Sequence, residues 1–110
     1  MIARAPFTRE GWIFELKHDG FRAFARAGAS PELRSRGGRS LAEAFPEIVD
    51  ALTGLPDAAL DGELIVPDRE GRSDFEMLRR RSLTRRPREV ARMSTTAAAV
   101  LGYAGAFTLE

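Results

Sequence analysis

The sequence predicts an α+β fold, an antiparallel sheet with flanking helices. Short runs alternate at the two-residue period of a strand, two stretches carry apolar residues at helical spacing, and Gly-, Pro- and Asp-rich breaks separate them. At 110 residues the chain is one small domain or a piece of a larger one. A hydrophobic content of 44% is enough for a core, and 30% charged residues suit a soluble protein. Cysteine is absent, which excludes disulfides and thiolate metal sites and fits a reducing interior. No apolar stretch is long enough to span a bilayer, and the first residues lack a signal-peptide pattern. The expected location is the cytoplasm, with no membrane partner.

Residues 12–17, Trp-Ile-Phe-Glu-Leu-Lys, are aromatic and β-branched and read as the first strand. Side chains two apart share a face, so Ile13, Glu15 and Lys17 point one way and Trp12, Phe14 and Leu16 the other. Asp19-Gly20 is a turn signal, and Phe21 to Ala27 alternate again, so residues 12–27 predict an antiparallel pair. Gly28 to Pro31 form the next turn, and Glu32 to Arg36 a short strand ending at Gly37-Gly38. The period then becomes helical at Leu41, Ala44, Phe45, Ile48, Val49 and Leu52. Ser40 and Glu43 have capping-box spacing, but Pro46 cannot occupy a helix interior. A turn over 41–45 is therefore expected, then a helix from Pro46 to about Leu52, stopped by Gly54.

Leu60 to Val66 is a further strand, with Asp61, Glu63 and Ile65 on one face. Pro67 to Arg72 turn, and Ser73 with Glu76 caps a helix through Phe75 and Leu78 into the arginines. Between Ser82 and Thr96 no pattern dominates; Ala97 to Leu109 suggests a last strand. Trp12, Phe14, Phe45 and Phe75 are expected in the core.

Net charge is only +1, yet residues 79–92 hold seven arginines against Glu89, a local balance of 7 − 1 = +6. Such a block fits contact with phosphates and equally fits a solvated linker. The chain has a single lysine, Lys17, against sixteen arginines, and it opens the run Lys17-His18-Asp19-Gly20-Phe21-Arg22. Arginine keeps its charge, whereas a lysine can be driven toward the neutral amine and attack an electrophile. With average residue usage, four fixed residues in a six-residue frame match at about one position in 10^5.

Four landmarks occur in order: Glu15-Leu16-Lys17-His18-Asp19-Gly20-Phe21-Arg22, Ser35-Arg36-Gly37-Gly38-Arg39, Phe45-Pro46-Glu47 and Leu60-Asp61-Gly62-Glu63-Leu64. Together they resemble the adenylation domain of ATP-dependent DNA ligases, most closely the bacterial repair and end-joining type, over nearly all of residues 12–81. The resemblance implies a ligase-type nucleotidyltransferase (ATP-grasp-like) fold in which Lys17 attacks the α-phosphate of ATP and forms lysyl-AMP. It assigns Arg22 to the ribose and phosphate region, Glu63 to a ribose hydroxyl, and Glu15 to the exocyclic amine of adenine. Arg36 takes a phosphate of the nicked strand, and Asp19 with Glu63 serves a magnesium or manganese ion. Phe107 is aligned with the aromatic that stacks on adenine, with Tyr103 as its rival. His18 fills the variable position and takes no role.

Each residue also has a bland reading. Glu15 could be half of an exposed ion pair with Lys17, Arg36 and Arg39 could be solvated charges flanking a turn, and Asp61-Gly62-Glu63 alone reads as a turn or bulge. Members of the family continue with a later acidic motif, a second lysine motif and an OB-fold domain, and no lysine follows Lys17. The resemblance therefore implies that residues 1–110 are a partial adenylation domain without an OB-fold domain and with weak or no independent ligation. Expected partners are nicked or broken duplex DNA and a repair-complex protein. Two other readings are a non-catalytic remnant that binds nucleic acid or a partner through residues 79–92, and an RNA-ligase or capping-type relative.

Overall fold

The computed structural model describes residues 7–9 and 20–108. It contains β1 (Phe7–Arg9), β2 (Phe21–Ala27), β3 (Glu32–Ser35), α1 (Pro46–Thr53), β4 (Ala58–Ile65), α2 (Phe75–Leu83), α3 (Pro87–Thr96) and β5 (Val100–Thr108). The strands form one sheet in the order β1-β5-β4-β2-β3. Neighbours β3, β2, β4 and β5 are antiparallel, and β1 joins β5 in parallel at the edge. The expected α+β architecture is present. The hairpin of β2, however, is made with β3 through the turn after Ala27, and its other edge is filled by β4. The pairing expected with residues 12–17 lies outside the described residues.

The core follows from the alternation of β2. Ala23, Ala25 and Ala27 face inward with Leu60 and Leu64 of β4 and Leu101 of β5. Three alanines in a row keep that face low, so Ile48 and Leu52 of α1 lie close against it. The helix starts as read: Pro46 sits in the first turn, where a missing N–H costs nothing, and the Gly54 N–H caps it on Ala51 O at 3.2 Å. The outer face of the same strands carries Arg22, Phe24, Arg26, Asp61 and Glu63.

Three expectations need correction. The cap of α2 is Asp74, whose Oδ1 accepts from Met77 N at 3.0 Å, because Ser73 is held in a bridge with Pro67. Phe75 is 38% exposed rather than core, lying edge-on to Phe21 at 5.7 Å between ring centroids. Part of the unassigned stretch is α3, with Pro87 and Glu89 in its first turn and only Val90 and Met93 buried.

The arginine block also divides. Arg81 is 1% exposed and faces the Glu47 carboxylate with both terminal nitrogens, Nη2 at 3.0 Å from Oε1 and Nη1 against Oε2. Nη2 donates to Ala44 O at 2.7 Å and Nη1 to Ala97 O at 2.9 Å, while Glu47 Oε2 accepts from Ala99 N at 2.9 Å. The guanidinium lies 4.6 Å from the Phe45 ring centroid. Removing one partner of such a pair strands a buried charge. Arg81→Ala is expected to lower the unfolding free energy by about 3–5 kcal/mol, measured as a lower urea midpoint at unchanged slope. The double replacement Arg81→Met with Glu47→Leu should lose less than Arg81→Ala alone, since no charge is left unmatched. A double mutant as unstable as the single would refute this account.

Candidate active site

A cleft of about 510 Å³ opens where β3 stops short of the start of β2. β3 pairs with Ala23 to Arg26 only, so among the described residues no strand pairs with Phe21 and Arg22 on that side. The cleft is lined by Gly20, Phe21, Arg22, Arg36, Arg39 and Glu63, together with Ser35 and Gly37. Three residues read from the sequence, Arg22, Arg36 and Glu63, thus share one hollow.

The register explains their roles. Arg22 of β2 stands directly opposite Glu63 of β4, and Phe24 opposite Asp61. Yet Arg22 bonds along the diagonal: Nε donates to Asp61 Oδ1 at 2.9 Å and Nη2 to Oδ2 at 2.7 Å. Its guanidinium also lies 5.3 Å from the Phe24 ring centroid. Glu63 is left half-buried, with no ion pair among the described residues. Gly20 packs its backbone against this spot. A Cβ there would come within 2.6 Å of Leu64 O, 2.8 Å of Ile65 Cγ2 and 2.9 Å of Glu63 Cγ, so only glycine fits.

Arg36 and Arg39 flank a tight turn. Gly38 N donates to Ser35 O at 2.9 Å, Ser35 N to Arg39 O at 2.8 Å, and Arg39 N to Ser35 Oγ at 3.1 Å. Gly38 has φ +92°, a conformation that favours glycine. Arg34 Nη1 braces the turn from outside at Gly38 O, 3.1 Å away. Both cleft arginines are exposed and neither has an ion pair among the described residues.

Lys17, Glu15 and Asp19 lie outside the described residues. Phe107 stands in register with Ala59, four residues along β4 from Glu63, a separation of about 13 Å along the strand. Tyr103 pairs with Gly62 and packs on the core. The residue that sequence reasoning missed is Asp61 as the anchor of Arg22. Alternation put Asp61 on the face of Glu63, but only the register reveals which carboxylate the arginine takes.

The hydrogen bond from Arg22 holds the Asp61 carboxyl below its usual range. A depressed folded-state pKa means that the unfolded chain binds the proton more readily. The pair's contribution is therefore present above the unfolded value, about 3.9 for Asp, and is lost as pH falls through the folded value. Both side chains are largely exposed, so the effect is small and weakened by salt. In Arg22→Ala, carboxyl-detected NMR should show Asp61 titrating higher than in the parent chain. An unchanged or lower value would show that the ion pair does not form in solution.

The family model for the ATP dependent DNA ligase domain matches residues 3–104. The chain is 42% identical over 73 residues to the multifunctional non-homologous end joining protein LigD of Pseudomonas aeruginosa, covering 64% of this chain and 9% of that protein. It is 42% identical over 91 residues to DNA ligase C1 of Mycolicibacterium smegmatis, covering 74% and 26%. To the bifunctional end joining protein LigD of Bacillus subtilis it is 36% identical over 98 residues, covering 82% and 16%. The solved ligase domain of M. tuberculosis LigD superposes with a TM-score of 0.52 at 30% identity, over 63% of this chain and 24% of that one. The chain thus spans about a quarter or less of each of these proteins. With its landmark arginines and Glu63 gathered around one cleft, the chain belongs to the ATP-dependent DNA ligase domain family.

Proposed function

We propose that this chain carries the lysine adenylation step of DNA nick sealing, with Lys17 as nucleophile. The observation that carries the reading is the convergence of Arg22, Arg36 and Glu63 on a cleft whose wall is Gly20. Three peptide links separate Lys17 from Gly20, which limits their Cα separation to about 11 Å. The neutral Lys17 amine attacks the α-phosphorus of ATP; the new P–N bond forms as the bond to pyrophosphate breaks, giving lysyl-AMP. An amine of ordinary pKa near 10.4 is protonated at neutral pH, so it must first lose that proton. The guanidiniums of Arg22 and Arg36 supply positive potential that favours the neutral amine and stabilises charge on the phosphate. Glu63, without an ion pair among the described residues, is available to a ribose hydroxyl, and Glu15 to the adenine amine. In the following steps the 5′-phosphate of a nick takes the AMP from Lys17, and a 3′-hydroxyl then displaces it.

A divalent ion fits this donor set. Among the described residues Glu63 is the one carboxylate lining the cleft, and no three His, Cys, Asp or Glu cluster as a metal cage. Magnesium or manganese is commonly held by one or two carboxylates together with substrate phosphates. Asp19 and Glu63 would hold it, and it would add positive potential at the phosphates. The test is incubation with α-labelled ATP or GTP and magnesium. Acid-labile, alkali-stable label is expected from ATP and absent in Lys17→Ala; label that persists in the variant would sink the proposal.

A second reading, nucleic-acid contact without catalysis, is favoured by the way the arginine block divides. Arg79, Arg81 and Arg92 are spent on Glu76, Glu47 and Glu89, whereas Arg80, Arg85, Arg86 and Arg88 are exposed and have no ion pair among the described residues. Replacing these four by glutamine should weaken binding to duplex DNA and flatten its salt dependence by about 0.9 in log–log slope per lost phosphate contact. An unchanged slope would exclude this segment from the DNA interface.

A further inference from the structure

Phe24 has no part in the adenylation step outlined above, and burial does not explain its place in the fold. The alternation of β2 sends Ala23, Ala25 and Ala27 into the core and Phe24 to the outer face, where it is 40% exposed. Its ring meets a cation there: the Arg22 guanidinium lies 5.3 Å from the centroid. Arg34, the register partner of Phe24 on β3, is engaged by Glu32 and by Gly38 O.

Arg22 passes over the nearer carboxylate. Directly opposite residues on antiparallel strands have Cβ atoms about 4.5–5.5 Å apart, and diagonal ones stand at about 7–8 Å. Glu63 is directly opposite and has the longer side chain, yet Arg22 bonds Asp61 through both Nε and Nη2. Asp61 is in turn the residue directly opposite Phe24. A guanidinium that reaches Asp61 therefore extends along β2 over the Phe24 ring, whereas one that reached straight across to Glu63 would leave it. The ring face thus adds attraction on the diagonal path alone. We infer that Phe24 is a positioning residue of the cleft: its ring, together with the Asp61 carboxylate, holds the Arg22 guanidinium on the diagonal and so keeps it from pairing with Glu63. The consequence for catalysis rests on the adenylation reading, in which Arg22 and Glu63 meet the nucleotide. The placement of Arg22 does not depend on that reading.

The test uses the full chain and two readouts. Hydrogen exchange at the Arg22 Nε–H, followed by NMR, reports whether the guanidinium keeps its bond to Asp61. The initial rate of labelling by α-labelled ATP, at low ATP, reports the site. Phe24→Leu keeps apolar bulk and removes the ring face. It is expected to speed that exchange and to slow labelling by about two- to fivefold each, the scale of an exposed cation–π contact. Phe24→Tyr, which keeps the ring, should match the parent chain in both. Exchange at the backbone amides of Ala23 to Ala27 is the internal reference and should not change. If those amides speed up as much as the Arg22 Nε–H, Phe24 merely supports the strand and the inference is overturned. Unchanged exchange at Arg22 in Phe24→Leu overturns it too, as does faster exchange with undiminished labelling. A parent chain that takes no label would refute the adenylation reading. Exchange at Arg22 that is faster in Phe24→Leu and restored in Phe24→Tyr would then still uphold the steering by Phe24.

Discussion

The Arg81–Glu47 pair fixes the parts of the chain on which the cleft depends. Burying two charges is costly, and the cost is offset only where geometry and extra hydrogen bonds are good. Here Arg81 binds Ala44 O just before α1 and Ala97 O just after α3, and Glu47 receives Ala99 N one residue before β5. One ion pair therefore joins α1, α2 and the entry of β5. β5 then pairs along β4 from Ile65 to Ala58, and β4 carries Asp61 and Glu63 into the site. An apolar pair of equal volume could supply packing, but it could not collect three backbone groups from two separate segments. The one buried polar atom without a partner among the described residues, Arg81 Nε, shows that even this arrangement is incompletely satisfied.

The sheet separates structure from chemistry by face. Its inner face is small and apolar, so helices pack on it closely; its outer face is charged and open. Within the charged face the arginines are graded. Arg22 is neutralised and oriented by Asp61, which suits a residue that must hold one geometry. Arg36 and Arg39 sit on a hydrogen-bonded turn, exposed and without an ion pair among the described residues. The same residue type thus serves as strut in the core, as oriented charge on the strand, and as exposed charge on the turn.

Local signals were readable where one residue imposes a hard constraint. Pro46 and Gly54 bounded α1 within a residue, and the paired glycines after Arg36 marked the turn that brings Arg36 to the cleft. Partner choice was not readable, because it depends on tertiary register. Arg81 looked like any other member of its block, since its carboxylate lies thirty-four residues earlier in the sequence. The helix α3 is amphipathic, but its buried stripe is only Val90 and Met93, set among arginines that read as a charged block. Its opening Pro87 with Glu89 two residues on was the signal available. The described neighbours of β2 were no more legible: β3 and β4 alternate as residues 12–17 do, and alternation alone does not say which run pairs with which.

The segment Asp61-Gly62-Glu63 shows why motif and strand readings could not be told apart from sequence. Asp61 is needed as the anion that turns Arg22 away from the residue directly opposite it. Gly62 is needed because a Cβ would overlap the Gly102 carbonyl oxygen of β5, and the register between β4 and β5 shifts at this point. The bulge reading is therefore borne out at Asp61/Gly62, and Glu63 of the site reading lines the cleft beside it. The irregularity is where β5 closes on β4, and the free carboxylate is the next residue along. Gly20 repeats the logic at the other wall, lying so close to Leu64 O that no side chain could intervene. Glycines at two approaches to one strand let backbone replace side chain around Glu63, while Arg22, the cation directly opposite it, is held by Asp61. Among the described residues Glu63 therefore keeps its carboxylate out of any ion pair while lining the cleft.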